Sequence, residues 1–192
     1  METLDEMLVS SWFNGQHSVP KSYVQPPENR PGKLIFYSSK TIPVIDLGGG
    51  HDHQAETVNQ IMKASQEYGI FQVINHGVSN DLVEDAMNVF KEFHGMAAKE
   101  KVSECSKDPN RSCKLYTSAE NYTKQSVHYW KDALTHHCHP LENYIKYWPQ
   151  KPTTYREIVG KYTKEVRKMG FQILEMLCDG LGLGKGILLW KT

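Results

Sequence analysis

An excess of charge of either sign is the first thing this sequence lacks. Its 22 Lys and Arg equal its 22 Asp and Glu, and no run holds five or six like charges. Neither a nucleic acid nor an anionic membrane surface is therefore an expected partner. Long apolar runs are missing too, so no stretch of about 20 residues is suited to crossing a bilayer. The opening METLDEMLVSSWF carries Glu2, Asp5 and Glu6 where a secretion signal needs positive charge. Cysteine is sparse: Cys105, Cys113, Cys138 and Cys178 form no CxxC pair. A disulfide framework is not expected in a domain of this size, and reduced thiols in a cytoplasmic protein are.

What remains is enough for a domain with a core, at 192 residues and 39% hydrophobic content. Residues 1–40 are punctuated by Pro20, Pro26, Pro27 and Pro31 and predict an extended arm after a short helix over Leu4 to Ser11. TIPVIDL (Thr41 to Leu47) predicts a strand, ended by Gly48, Gly49 and Gly50. Val58, Ile61, Met62, Ser65 and Tyr68 then fall at helical spacing, and Gly69 suits a left-handed stop. Ile70 to Ile74 reads as a second strand, so the unit is a βαβ crossover.

Ser79, Asn80 and Asp81 offer N-cap oxygens to the next helix, with Leu82, Val83, Ala86, Met87, Phe90 and Phe93 on its apolar face. That helix is expected to fray into the charged AAKEK stretch, followed by a polar surface loop over 103–112. Two short strands are predicted, Lys114 to Thr117 and Ser126 to Leu134, with Tyr129 and Trp130 read as packing side chains. Thr154 and Glu157 form a capping-box pattern for a long final helix. Tyr155, Ile158, Val159, Tyr162, Val166, Met169, Ile173, Met176 and Leu177 give it a continuous apolar stripe to about Leu181.

Six blocks in order resemble one family: IPVIDL, YGIFQVINHG, EFHGMAAKEK, YWKDALTHHCHPL, WPQKPTTYRE and a long helix closing on LCDGLGL. Over roughly 41–183 the chain resembles the N-terminal region of plant 2-oxoglutarate- and Fe(II)-dependent dioxygenases. The HCHPL and WPQKP blocks are most similar to hyoscyamine 6-dioxygenase-like enzymes of specialised metabolism. The resemblance implies an α+β, helix-rich region with a few strands that packs on a double-stranded β-helix (jelly-roll) barrel. It divides the chain into an arm (1–40), the dioxygenase N-terminal domain (41–183) and a divergent tail (184–192). It also implies Fe(II), 2-oxoglutarate and ascorbate as cofactors of full-length relatives, which hydroxylate or desaturate a small metabolite. By resemblance, Lys131 would meet a polar or anionic substrate group at the pocket mouth; otherwise it is a surface lysine paired with Asp132 or Glu120.

The family's iron site begins with His-x-Asp or His-x-Glu, and none of the nine histidines has a carboxylate two residues on. No Arg-x-Ser clamp for 2-oxoglutarate follows any of the four arginines either. The expectation is that this chain alone assigns no catalytic, metal-binding or cofactor-binding residue and is inactive. The barrel is expected to be missing, as a truncated gene model or an alternative transcript would leave it. Two other readings compete. In one, the stripe of the 154–181 helix mediates self-association or captures a partner, and the chain is marginally stable. In the other, His137 and His139, with His51 and His53 as a second pair, bind a metal ion. Asn75-His76-Gly77 reads as a strand-ending turn.

Overall fold

The computed structural model describes residues 3–13, 16–32, 41–50, 53–105, 112–118, 126–184 and 187. Its elements run α1 (Leu4–Met7), α2 (Val9–Trp12), β1 (Val44–Asp46), α3 (Gln54–Glu67), β2 (Gln72–Ile74), α4 (Asn80–Gly95), α5 (Ala98–Glu104), β3 (Cys113–Thr117), β4 (Asp132–His136), α6 (Leu141–Tyr144) and α7 (Tyr155–Gly180). Helix predominates and the strands are few, the α+β arrangement expected. The chain divides into two compact units, one of Met1–Leu34 with Glu84–Gly160, the other of Ile35–Val83 with Lys161–Thr192.

The second unit contains the crossover. β1 and β2 pair in parallel, Val44 with Gln72, Ile45 with Val73 and Asp46 with Ile74. Pro43 has no amide hydrogen to donate, but its carbonyl accepts from the Gln72 amide at 2.8 Å. α3 closes the connection by burying Thr57, Val58, Ile61 and Ala64. Gly69, at φ 68°, ends it as the glycine spacing predicts. Ile45, Leu47, Val58, Ile61, Ala64 and Met176 form the core here. Gly180 lies so close to this core that a Cβ would meet the Met62 side chain at 2.4 Å, so glycine lets α7 approach α3.

In the first unit the core comprises Leu8, Val89, Phe93, Cys105, Cys113, Leu115, Trp148, Tyr155 and Val159. The Ser79 hydroxyl accepts from the Leu82 amide at 3.1 Å, so Ser79 is the oxygen that starts α4. The apolar face of α4 differs from the expected one by a residue: Met87 is half exposed and Val89 is buried. AAKEK does not fray but forms the start of α5, and Cys105 beyond it is a core residue rather than part of a surface loop.

The second predicted strand is displaced. β4 covers Asp132–His136, not Ser126 to Leu134, and pairs antiparallel with β3 from Cys113 opposite His136 to Thr117 opposite Asp132. The reason lies on the partner strand. Ser118 takes φ 60°, which turns β3 out of the ladder, and a strand keeps its conformation only where it has a partner. Residues 126–131 therefore bend around Ser118, whose Oγ accepts from the Tyr129 amide at 2.7 Å. Tyr129 and Trp130 are 53% and 45% exposed, so neither is a core aromatic. Trp130 packs edge-on against Trp12 and Tyr23 instead.

α7 runs 26 residues, about 39 Å at 1.5 Å per residue. All nine residues of its predicted stripe are buried or half-buried. It gives Tyr155 and Val159 to the first core and Met176 to the second. Among the described residues no helix is long and apolar enough to cross a membrane.

Candidate functional site

The end of β1 and β2 is a closed hydrogen-bonded turn. Asp46 Oδ1 accepts from the Gly48 amide at 2.8 Å, and Oδ2 accepts from Asn75 Nδ2 at 2.9 Å. These two donors, the Gly48 amide first, hold the Asp46 carboxyl below its ordinary value. Asn75 and Gly77 take φ 51° and 82°, and the Val78 amide donates to His76 Nδ1 at 3.2 Å. A Cβ on Gly48 would lie 2.9 Å from the Asn75 Cβ, so the glycine lets the two chain segments close. The Asn75-His76-Gly77 trio thus ends the strand and satisfies its own backbone.

Lys131 sits in the bend just before β4, exposed, with its Nζ 5.8 Å from the Tyr129 ring centre. Its backbone holds the bend: its carbonyl accepts from the Ser118 amide at 2.8 Å. The expected partner Asp132 faces elsewhere. Its two carboxylate oxygens accept from the Val9 and Ser10 amides at 2.8 and 2.9 Å, capping α2. Glu120, the other candidate partner, and His51 lie outside the described residues.

Beside Asp132 is a group that reading the sequence missed. Lys101, within the AAKEK run, is only 1% exposed. Its Nζ donates to Ser10 Oγ at 2.6 Å and to the His94 carbonyl at 2.9 Å. Burial pushes its amine below the ordinary lysine value, and the Asp132 charge pulls the other way. The His94 imidazole is also pushed down, by burial first and then by the Lys101 charge. A single apolar position followed by charged ones gives no hint of this. The only available signal was Lys101 falling seven residues after His94, on the side of α5 that also carries the half-buried Ala98 and Val102.

The His136–His139 cluster does not gather on an ion. His136 Nε2 lies 2.9 Å from the Tyr155 hydroxyl, and Nδ1 lies 3.5 Å from Cys138 Sγ. Its ring stacks against Trp148 with centres 4.3 Å apart. Burial lowers the His136 pKa to about 4 and pushes the Tyr155 hydroxyl well above its ordinary value. His137 lies against Tyr144, and its carbonyl accepts from Trp148 Nε1 at 2.9 Å. His137 and His139 are both exposed while His136 and Cys138 are half-buried, the alternation expected of one shared face, and within the cluster the side-chain contact is that of His136 with Cys138.

Among the described residues no three His, Cys, Asp or Glu side chains converge as a metal-binding group. The individual donors agree with that. Both His136 nitrogens already have partners, and the Asp46 carboxylate is taken by Asn75 and Gly48. Fe(II) with open positions for 2-oxoglutarate and oxygen needs two imidazoles and a carboxylate converging on one point, and these residues do not fit it.

Comparison with known proteins fits this architecture. The family described as "non-haem dioxygenase in morphine synthesis N-terminal" matches residues 42–154, and the chain belongs to it. It is 40% identical over 187 residues to hyoscyamine 6-dioxygenase of Hyoscyamus niger, covering 93% of this chain and 53% of that protein. It is 37% identical over 178 residues to Protein DOWNY MILDEW RESISTANCE 6 of Arabidopsis thaliana, covering 93% of this chain and 51% of that protein. The fold matches the crystal structure of JOX2 in complex with 2OG, Fe and JA, with a TM-score of 0.68 and 24% identity, over 97% of this chain and 51% of that one. The chain thus corresponds to the N-terminal portion of a 2-oxoglutarate- and Fe(II)-dependent dioxygenase, and it spans about half the length of the curated relatives it matches.

Proposed function

We propose that this chain is the supporting half of a cytoplasmic dioxygenase of plant specialised metabolism, and that Fe(II) and 2-oxoglutarate are held by residues it does not contain. The observation carrying this reading is the match of residues 42–154 to the family's N-terminal region, together with a donor set that, among the described residues, does not fit iron. The whole enzyme would hydroxylate or desaturate a small metabolite, with ascorbate keeping the iron reduced. Residues 41–183 act as the family's N-terminal unit, with 1–40 as an arm and 184–192 as a divergent tail.

Within this reading Lys131 serves the substrate. Its side chain is exposed and carries a positive charge, with its Nζ 5.8 Å from the centre of the exposed Tyr129 ring. A cation beside an exposed aromatic ring suits a small molecule with an anionic or polar group on an apolar body. Replacing Lys131 should weaken substrate binding and leave folding unchanged.

Equilibrium dialysis of the purified chain against Fe(II), with and without 2-oxoglutarate, tests where the iron is held. The expected outcome is no stoichiometric retention of either. One Fe(II) per chain, with 2-oxoglutarate bound in proportion, would place the centre in this half and overturn the proposal.

A further inference from the structure

Two buried thiols have no part in that reading. Cys105 follows α5 and Cys113 begins β3, and their Sγ atoms lie 3.9 Å apart in a thiol–thiol hydrogen bond. Both are free cysteines, Cys113 fully buried and Cys105 9% exposed. A disulfide has its sulfurs about 2.05 Å apart, so closing this pair asks each to move by roughly 1 Å. Cys105 also forms part of the wall of a polar cavity of about 330 Å³, with Glu104, Trp148, Gln150 and Arg156 around it. A solute little larger than water can reach Cys105 from there, and the Cys113 sulfur lies in contact with it.

The electrostatics separate the two thiols. The hydrogen bond with Cys105 and then the Arg156 charge hold the Cys113 thiol below its ordinary value, against the effect of burial. The same hydrogen bond, followed by burial, pushes Cys105 up. The first negative charge therefore rests on Cys113, with a protonated thiol in contact with it. A thiolate against a second thiol is the arrangement that two-electron oxidation requires. Cys138 differs: burial pushes its thiol up, and the side chain it meets is His136.

We propose that Cys105 and Cys113 form an oxidative-modification site, a dithiol that hydrogen peroxide converts to an intramolecular disulfide. The Cys113 thiolate attacks one peroxide oxygen and the O–O bond breaks. The departing hydroxide takes a proton and leaves as water, and Cys113 becomes a sulfenic acid. The Cys105 sulfur then attacks the Cys113 sulfur. An S–S bond forms, the S–O bond breaks, and the hydroxide leaves with the Cys105 proton as a second water. Two thiols are oxidised and one peroxide is reduced to two waters. A small dithiol reductant reverses the bond by thiol–disulfide exchange.

The test uses the full chain in its folded state. It is exposed to hydrogen peroxide, the peroxide is removed, the remaining thiols are blocked with N-ethylmaleimide in denaturant, and the peptides are mapped by mass spectrometry. The expected product has lost two hydrogen atoms, links Cys105 to Cys113, carries maleimide on Cys138 and Cys178, and returns to four free thiols with dithiothreitol. Four alkylated cysteines after peroxide, or a bond involving Cys138 or Cys178, would overturn the proposal. Because the wild-type map decides the pairing, a variant that folds poorly does not stand in its way. Cys105→Ser adds a second readout: Cys113 should stop at a sulfenic acid that dimedone traps. An unmodified Cys113 in that variant would remove it as the attacking sulfur.

Discussion

Asp132→Ala is expected to lower stability by about 2 kcal/mol, the upper end of the cost of losing a helix cap. Two effects add. The Val9 and Ser10 amides lose the carboxylate that caps α2, at 2.8 and 2.9 Å. Lys101, 1% exposed, loses the negative charge that opposes its desolvation. The measurement is a urea unfolding curve, read as a drop in midpoint at constant slope. In a Lys101→Met background the same substitution should cost less, since no buried amine is left without its counter-charge, and the difference is the coupling between the two groups. Lys131→Met is the control, one residue away. Its side chain is exposed, so its effect should stay within about 0.5 kcal/mol. A cost under about 1 kcal/mol for Asp132→Ala, below the usual worth of a helix cap, would remove the network from the account.

Acid should unfold this protein through His136. Burial lowers its pKa from 6.5 to about 4, and Tyr155, Cys138 and Trp148 surround it. In the folded state the ring stays neutral down to that value, whereas in the unfolded chain it takes up a proton near pH 6.5. Between those limits the unfolded state binds the extra proton, so stability falls as the pH falls. A pKa drop from 6.5 to about 4 is worth on the order of 3 kcal/mol, present in full above pH 6.5 and lost by about pH 4. His94 is shifted in the same direction, so the wild-type slope holds more than one contribution. The comparison with His136→Gln isolates one. Glutamine keeps a hydrogen-bonding group near the Tyr155 hydroxyl but does not titrate, so the variant's stability should depend less steeply on pH across that window. Equal slopes for variant and wild type would show that His136 does not titrate as its burial implies.

The parts of this fold that could be read from sequence are those governed by local periodicity and turn chemistry. The β1–α3–β2 crossover follows from a β-branched run, an apolar helical spacing and the left-handed glycine at 69. The long α7 and its stripe follow from nine apolar positions at one period. What could not be read depends on contacts distant in sequence. Lys101 lies in a charged stretch that alone would be solvated, and it is buried because Ser10, 91 residues earlier, is folded against it. Cys105 and Cys113 look scattered in the sequence, and they meet because α5 ends where β3 begins. The displacement of β4 traces to Ser118, whose positive φ ends the partner strand, a conformation that serine's propensity does not signal. At the candidate site, the Asn75-His76-Gly77 turn was legible because its bonds are local. The His136–Tyr155 contact was not, since a strand and a helix have to be brought together to make it.

The proposal at stake is that the oxidising centre of the dioxygenase is held by residues outside this chain. Succinate production tests it most directly. The purified chain is incubated with Fe(II), ascorbate and 2-oxoglutarate under air, and succinate is followed against a protein-free control. The account predicts succinate at the rate of the control throughout; sustained production proportional to the amount of chain would contradict it.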